Sequence, residues 1–202
     1  MIAVPPGSDD GAFRAQLLLV LIRSAVMWVV GLAVICLGLL VVRFPSADDP
    51  GDAGWHIDAG FEGPATDDLF GWYANYASKG RGLLLLCLLS DVGVDDAPTR
   101  ILEGSHHAMV GLLRPFGEAG VLGLKAPLPD AHGPTALATG QAGDVFLCHP
   151  FLVHAASWPH RGAVPRLIAQ PPISLEGSLR IDAPEQELSP VARVVRRALA
   201  DL

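Results

Sequence analysis

Trp55-His56-Ile57-Asp58 sets an imidazole and a carboxylate two residues apart. Successive side chains of an extended strand alternate between faces, so His56 and Asp58 point the same way. Two such groups converging from one strand can grip one side of a metal ion and leave its other positions open. That is two thirds of the two-histidine, one-carboxylate facial arrangement of non-haem iron(II) oxygenases. His-x-Asp alone is short and common, and a solvated pair at a strand end is its simplest explanation. The metal reading needs a second histidine from elsewhere in the chain.

His149, His154 and His160 compete for that place. The chemistry that would follow needs an arginine nearby to hold a dicarboxylate co-substrate, because a planar guanidinium clamps a carboxylate bidentately and a lysine does not. Arg166 follows His149 by 17 residues, His154 by 12 and His160 by 6. Antiparallel neighbours joined by a medium loop bring residues about a dozen apart onto facing positions, which favours His154. His149 is expected as a buried histidine hydrogen-bonding near Pro150, and His160 on the loop. Arg166, Ile168 and Gln170 share one face of the expected strand Arg166–Gln170.

The elements that must carry these residues read as mostly strand. Gly82 to Leu89 is a continuous apolar run of strand length, expected to be central and buried on both faces. Arg100–Glu103 reads as a short strand, and Gly143-Asp144 as a turn into a buried strand ending at Cys148. Gly38–Phe44 reads as a further buried strand, closed by Pro45. Ser46–Gly54 is then the polar loop into the His-x-Asp strand. Phe61–Lys79, rich in aromatic residues, is either a loop stapled over a sheet end or the rim of a substrate pocket.

Ser105 is expected to cap a helix whose inner stripe is Met109, Leu112, Leu113 and Phe116. Neighbouring residues of a helix face apart, so His106 and His107 are not expected to act together as ligands. Gly117–Gly143 reads as a lid-like loop, with Lys125 and His132 isolated in it. Ser189-Pro190 opens a C-terminal amphipathic helix, apolar at Val191, Val194, Val195, Ala198, Leu199 and Leu202 and basic at Arg193, Arg196 and Arg197. Docking onto the body of the protein is expected for it, with contact to an anionic membrane or a partner as the alternative.

Composition narrows the class. The chain has 202 residues, enough for one domain with a terminal appendage, and half are hydrophobic. Its net charge of -7 argues against nucleic acid as a partner. Cys36, Cys87 and Cys148 are scattered with no Cys-x-x-Cys pair, which reads as reduced thiols and argues against a zinc–thiolate site. Residues 1–11 read as disordered. Between Gln16 and Val42 only Arg23 is charged, and Ser24–Val42 is a 19-residue uncharged run long enough for a membrane span. The competing division, a buried helix over Ala12–Val34 followed by the strand at Gly38, is preferred because the His56 strand otherwise lacks a neighbour.

The ordered set Trp55-His56-Ile57-Asp58, Ala97-Pro98-Thr99 through Gly104-Ser105-His106, Gly143-Asp144, His149-Pro150, His154 and Arg166 resembles the phytanoyl-CoA dioxygenase family over about Leu39 to Ile173. The resemblance implies a mainly β fold with flanking helices around a double-stranded β-helix (jelly-roll or cupin-like) core. It implies Fe(II) held by His56, Asp58 and His154, with Arg166 clamping the distal carboxylate of 2-oxoglutarate. The implied reaction consumes O2, decarboxylates 2-oxoglutarate to succinate and CO2, and hydroxylates a small organic substrate. On this reading residues 1–37 are an N-terminal start with an apolar helix, 38–175 the oxygenase domain and 176–202 the tail.

The chain departs from the family pattern in three places. Many members carry serine two residues after the distal histidine, where this chain has Ala156 and then Ser157. Leucines around Leu86 replace co-substrate contacts that some members place on the central strand. The extension before the His-x-Asp strand is short. The expected location is cytoplasmic, and the expected partner is a small-molecule substrate. The rival readings are a non-catalytic metal- or ligand-binding β-barrel and a membrane-anchored protein held through residues 24–42.

Overall fold

The apolar run after Gly82 becomes the middle of the largest sheet among the described residues. The computed structural model describes residues 40–63 and 71–202, and residues 41–202 form one compact unit. The expected disordered start and the Ala12–Val34 helix lie outside the described residues. β4 (Arg81–Leu88) is flanked along one edge by β8 (Val145–Cys148) and along the other by β10 (Arg166–Ala169) and β11 (Ile173–Ser174). β1 (Leu40–Arg43) adds to the outer edge of β10, completing five strands. A second sheet places β5 (Arg100–Leu102) between β7 (Thr135–Leu137) and β9 (His154–Ala155). A third joins β2 (Phe61–Glu62), β3 (Trp72–Ala74) and β6 (Val121–Leu122). The described residues are therefore mainly β, in three antiparallel sheets, with two α-helices.

The central strand is fully buried on one face, not on both as expected. Leu84, Leu86 and Leu88 are fully enclosed, whereas Leu83, Leu85 and Cys87 on the opposite face are only half-buried. The physical reason lies in the partners: Leu85 faces Leu147 of β8, which is 72% exposed. β8 is an edge strand, so only its inward residues Phe146 and Cys148 are covered, and the expectation of a buried strand there is corrected. β1 is corrected in the same way, because it too is an edge and leaves Val42 and Phe44 exposed. The Gly117–Gly143 segment is not pure loop. It contributes β6 and β7, strands too short to announce themselves by alternation.

α1 (Ser105–Leu113) buries Met109, Val110 and Leu113, but Phe116 is largely exposed just beyond its end. Its cap differs from expectation. Gly104 holds the N-cap position at φ 72°, a left-handed conformation that glycine adopts without a Cβ penalty. Ser105 is the first helical residue, and its hydroxyl accepts the buried N–H of Val153 at 2.9 Å, tying the helix start to the segment that carries His154. α2 (Pro190–Ala200) begins as expected, with the Ser189 hydroxyl accepting the Ala192 N–H at 3.1 Å. It docks on α1, and Val195 joins the same apolar cluster as Met109, Leu113, Phe151 and Val153.

Among the described residues no helix is long and apolar enough to cross a membrane. Leu40, Val41 and Val42, the last residues of the uncharged run, are strand, so a helix does not extend to Val42. Residues 24–39 lie outside the described residues.

Two leucines of the main sheet separate packing from composition. Leu86→Ala empties a fully buried site and is expected to destabilise by about 2–5 kcal/mol in urea unfolding. Leu147→Ala on the exposed edge is expected to cost less than about 0.5 kcal/mol. Equal losses would contradict this account of the core.

Candidate metal centre

The expected strand at Trp55–Asp58 is reduced to one backbone pair, and that pair builds the site. The His56 N–H donates to the His154 carbonyl and the His154 N–H to the His56 carbonyl, both at 3.0 Å. Residues directly opposite in such a reciprocal antiparallel pair project to the same face. The two imidazoles accordingly lie side by side, with ring centroids 4.4 Å apart. Asp58, two residues on, shares that face. Ile57 and Val153, one residue out of phase, are buried in the apolar cluster on the other side.

The metal-ligating atoms of His56, Asp58 and His154 lie within 4.8 Å of one another, and they are the one group of three or more such residues among the described residues. Asp58 Oδ1 and His154 Nε2 are 3.8 Å apart. Two donors bound to one ion at about 2.0–2.2 Å stand no further apart than roughly 4.4 Å, so this separation fits a shared ion. The tautomers fit as well. His56 Nδ1 is 3.0 Å from the Gly54 carbonyl and His154 Nδ1 is 3.0 Å from the Leu152 carbonyl. A carbonyl only accepts, so each Nδ1 carries a proton, and in the neutral form of either ring Nε2 holds the lone pair. Backbone orientation of this kind is the common support of metal-binding histidines. His154 Nε2 is buried and has no hydrogen-bond partner among the described residues. Burial, reinforced by the His56 ring and only partly opposed by the Asp58 carboxylate, holds the His154 pKa below its ordinary value and the ring neutral.

Two arginines that sequence reasoning passed over position the three ligands. Arg81, at the head of β4, donates from Nη1 to Asp58 Oδ2 at 2.7 Å and from Nε to the Ala59 carbonyl at 3.1 Å. One carboxylate oxygen is thereby fixed and Oδ1 is left facing the histidines. Arg100, on β5, donates to the Ala53 carbonyl at 2.6 Å and the Ala156 carbonyl at 3.2 Å, and its guanidinium lies 4.7 Å from the centre of the Trp55 ring. It joins the stretch before His56 to the stretch after His154. The available signal was a lone arginine at the start of each strand.

Beside the histidines lies an open cavity of about 200 Å³, lined by Val41, Asp52, Thr99, Ala156, Arg166 and Gln170 along with His56, His154 and Ile168. Arg166, Ile168 and Gln170 share the cavity face, as the spacing predicts. Arg166 is only 2% exposed, donates to the Ala97 carbonyl, and has an Nε with no acceptor among the described residues. Burial, then the neighbouring Arg43 charge, pushes its pKa down to about 10, which leaves it cationic at neutral pH. Ala156 lines the cavity, whereas the Ser157 hydroxyl donates to the Pro98 carbonyl and takes no part. Thr99 supplies a hydroxyl-bearing residue to the lining that the sequence did not single out.

The other histidines fall elsewhere. His149 is packed against His106 and Phe151, and its Nδ1 accepts the Phe151 N–H at 3.1 Å, the expected bond beside Pro150. His106 and His107 sit on α1 with rings 4.2 Å apart, away from the triad. His160 lies between strands as expected, but it is buried, and its backbone pairs reciprocally with Ser46. His132 pairs with Asp130 on the surface. Trp72 is 48% exposed, and neither it nor Phe61, Tyr73 or Tyr76 lines this cavity. No protein-family model matches the chain, and no match was found among curated proteins or solved structures.

Arg81→Met removes the brace on Asp58 without touching a ligand, and is expected to weaken Fe(II) or Co(II) binding by about 10- to 100-fold in a metal titration. Unchanged affinity would show that Asp58 needs no brace. A second expectation concerns acid. Burial, then the His106 charge, lowers the His149 pKa from 6.5 to about 4. The unfolded chain therefore binds more protons than the folded one between those values, and stability falls as pH drops through that window. The loss is at most roughly 3 kcal/mol. Urea midpoints at pH 7 and pH 4.5 measure it, and His149→Phe should flatten the dependence.

Proposed function

We propose that the chain is a non-haem Fe(II)/2-oxoglutarate-dependent dioxygenase of the phytanoyl-CoA dioxygenase type, hydroxylating a small organic substrate. The observation that carries this reading is the conjunction of two imidazoles lining a cavity that also holds a buried, under-bonded arginine, with one braced carboxylate beside those imidazoles. Two histidines and a carboxylate on one side of an ion are the donor set of iron(II) oxygenases, whereas structural zinc favours four closed ligands. The reading extends to the architecture. The cavity lies between β1 and β10 of the five-stranded sheet and β9 of the β7-β5-β9 sheet, as the inside of a double-stranded β-helix would require.

Each residue then has a task. His56, Asp58 and His154 would hold the iron through Nε2, Oδ1 and Nε2. Arg166 would take the distal carboxylate of 2-oxoglutarate with its guanidinium, and its burial makes that charge-assisted pair strong. Thr99 and Gln170 would offer further polar contacts in place of the absent serine. Bound iron would supply activation of O2, so that 2-oxoglutarate, O2 and a C–H bond give succinate, CO2 and an alcohol. A cavity of about 200 Å³ is below the roughly 300 Å³ at which drug-sized pockets begin, in keeping with a five-carbon dicarboxylate as its occupant.

The test is succinate formation from 2-oxoglutarate by the full chain with Fe(II), ascorbate and air. Asp58→Ala and His154→Ala are expected to reduce it to background. Arg166→Lys is expected to raise the KM for 2-oxoglutarate on the order of 10- to 100-fold, with a smaller effect on kcat. Turnover that survives Asp58→Ala would overturn the assignment.

A further inference from the structure

We infer that the anion end of the cavity is a two-arginine site, in which Arg43 is the second carboxylate-binding guanidinium and Asp52 is a built-in competitor that the ligand must displace. The inference rests on the proposed 2-oxoglutarate reading and extends it to residues that reading leaves idle. Val41 lines the cavity from β1, and Arg43, two residues on, projects from the same face of that strand. Arg43 is mostly buried, with 11% of its side chain exposed, and its charge lies near enough to Arg166 to lower that residue's pKa.

Its bonding is incomplete. One nitrogen, Nη2, donates to both oxygens of Asp52 at 2.8 and 2.7 Å, so the pair is not the side-on fork that a guanidinium and a carboxylate can form. Arg43 Nε is buried and, like Arg166 Nε, has no acceptor among the described residues. Two guanidiniums and one carboxylate leave this end of the cavity with one uncompensated positive charge and two buried N–H groups lacking acceptors. A ligand carboxylate would bring one negative charge and two acceptor oxygens.

Asp52 is the exchangeable member. Its side chain is 55% exposed, it lines the cavity, and it sits on the Ser46–Gly54 loop beside Gly51, whose φ is 77°. An exposed carboxylate on a loop leaves an arginine at small cost, since its hydration is largely intact. On entry of a dicarboxylate, Arg43 would pass from Asp52 to the ligand. The site would thus select ligands with a carboxylate at the far end and discriminate against neutral 2-oxo compounds.

Calorimetric titration of the full chain with glutarate, without added metal, isolates this end of the cavity. Glutarate has both carboxylates of 2-oxoglutarate and lacks the 2-oxo group, so its binding does not depend on the iron assignment. Asp52→Asn should tighten glutarate binding roughly tenfold and Arg43→Gln should weaken it by a similar factor, the size of one charge interaction near a protein surface. Binding seen only in Asp52→Asn would also support the inference. If Asp52→Asn binds glutarate as the parent does, or no variant binds it, the inference is overturned. Asp52 is exposed, so that variant tests the claim even should Arg43→Gln fail to fold. Loss of iron-dependent succinate formation with glutarate binding intact would instead count against the oxygenase reading alone.

Discussion

The site depends on one reciprocal pair of backbone hydrogen bonds, between His56 and His154. Because these residues exchange both N–H···O bonds, their side chains are forced to one face, and the alternation of an extended chain brings Asp58 to join them. The same pairing sends Ile57 and Val153 into the apolar cluster. A one-residue slip would turn His56 into the apolar cluster and Ile57 out of it, so the packing of the core enforces the register of the candidate ligands. Ser105 adds a lock, since its hydroxyl satisfies the Val153 N–H immediately before His154. The geometry of the candidate ligands and hydrophobic burial are thus two faces of one short ladder.

Around that pair, four arginines divide the electrostatic work. Arg81 holds one oxygen of Asp58, Arg100 ties the carbonyls of Ala53 and Ala156, Arg166 offers its charge within the cavity, and Arg43 grips Asp52 at its edge. Arg81 and Arg100 each donate to two fixed protein acceptors, which suits a positioning role. Arg166 and Arg43 each keep a buried Nε without an acceptor among the described residues. An unsatisfied buried N–H costs about 1–3 kcal/mol, and such a cost is recovered when a ligand supplies the missing oxygen. The division between braced and under-bonded guanidiniums is what turns a group of polar residues into a candidate binding site.

Much of this was legible in the residues. The two-residue spacing of His56 and Asp58 and the twelve-residue spacing of His154 and Arg166 single out four side chains, of which His56, His154 and Arg166 line one cavity and Asp58 joins the two histidines. The long apolar β4 and the capped α2 were readable because their patterns are strong and local. What stayed hidden was non-local. Arg81 and Arg100 read as ordinary strand-start charges, since nothing in the order of residues says which carbonyl or carboxylate they will reach. Ser105 has the composition of a helix cap, yet tertiary demand from Val153 took its hydroxyl and left the cap to Gly104. Exposure of Leu147 and Val42 followed from their strands lying at sheet edges, a property of topology that an apolar run does not encode. Strands as short as β6 and β7 fell below what alternation can signal.

The central claim is that His56, Asp58 and His154 form an open facial site beside a 2-oxo acid cavity. Anaerobic titration of the full chain with Fe(II) and then 2-oxoglutarate tests it most directly, by the weak visible charge-transfer band of a chelated 2-oxo acid on iron(II). The band should appear only when both are present, saturate at one equivalent of iron, and vanish in His154→Ala. Folded protein that binds neither, or a band that persists in that variant, would contradict the account.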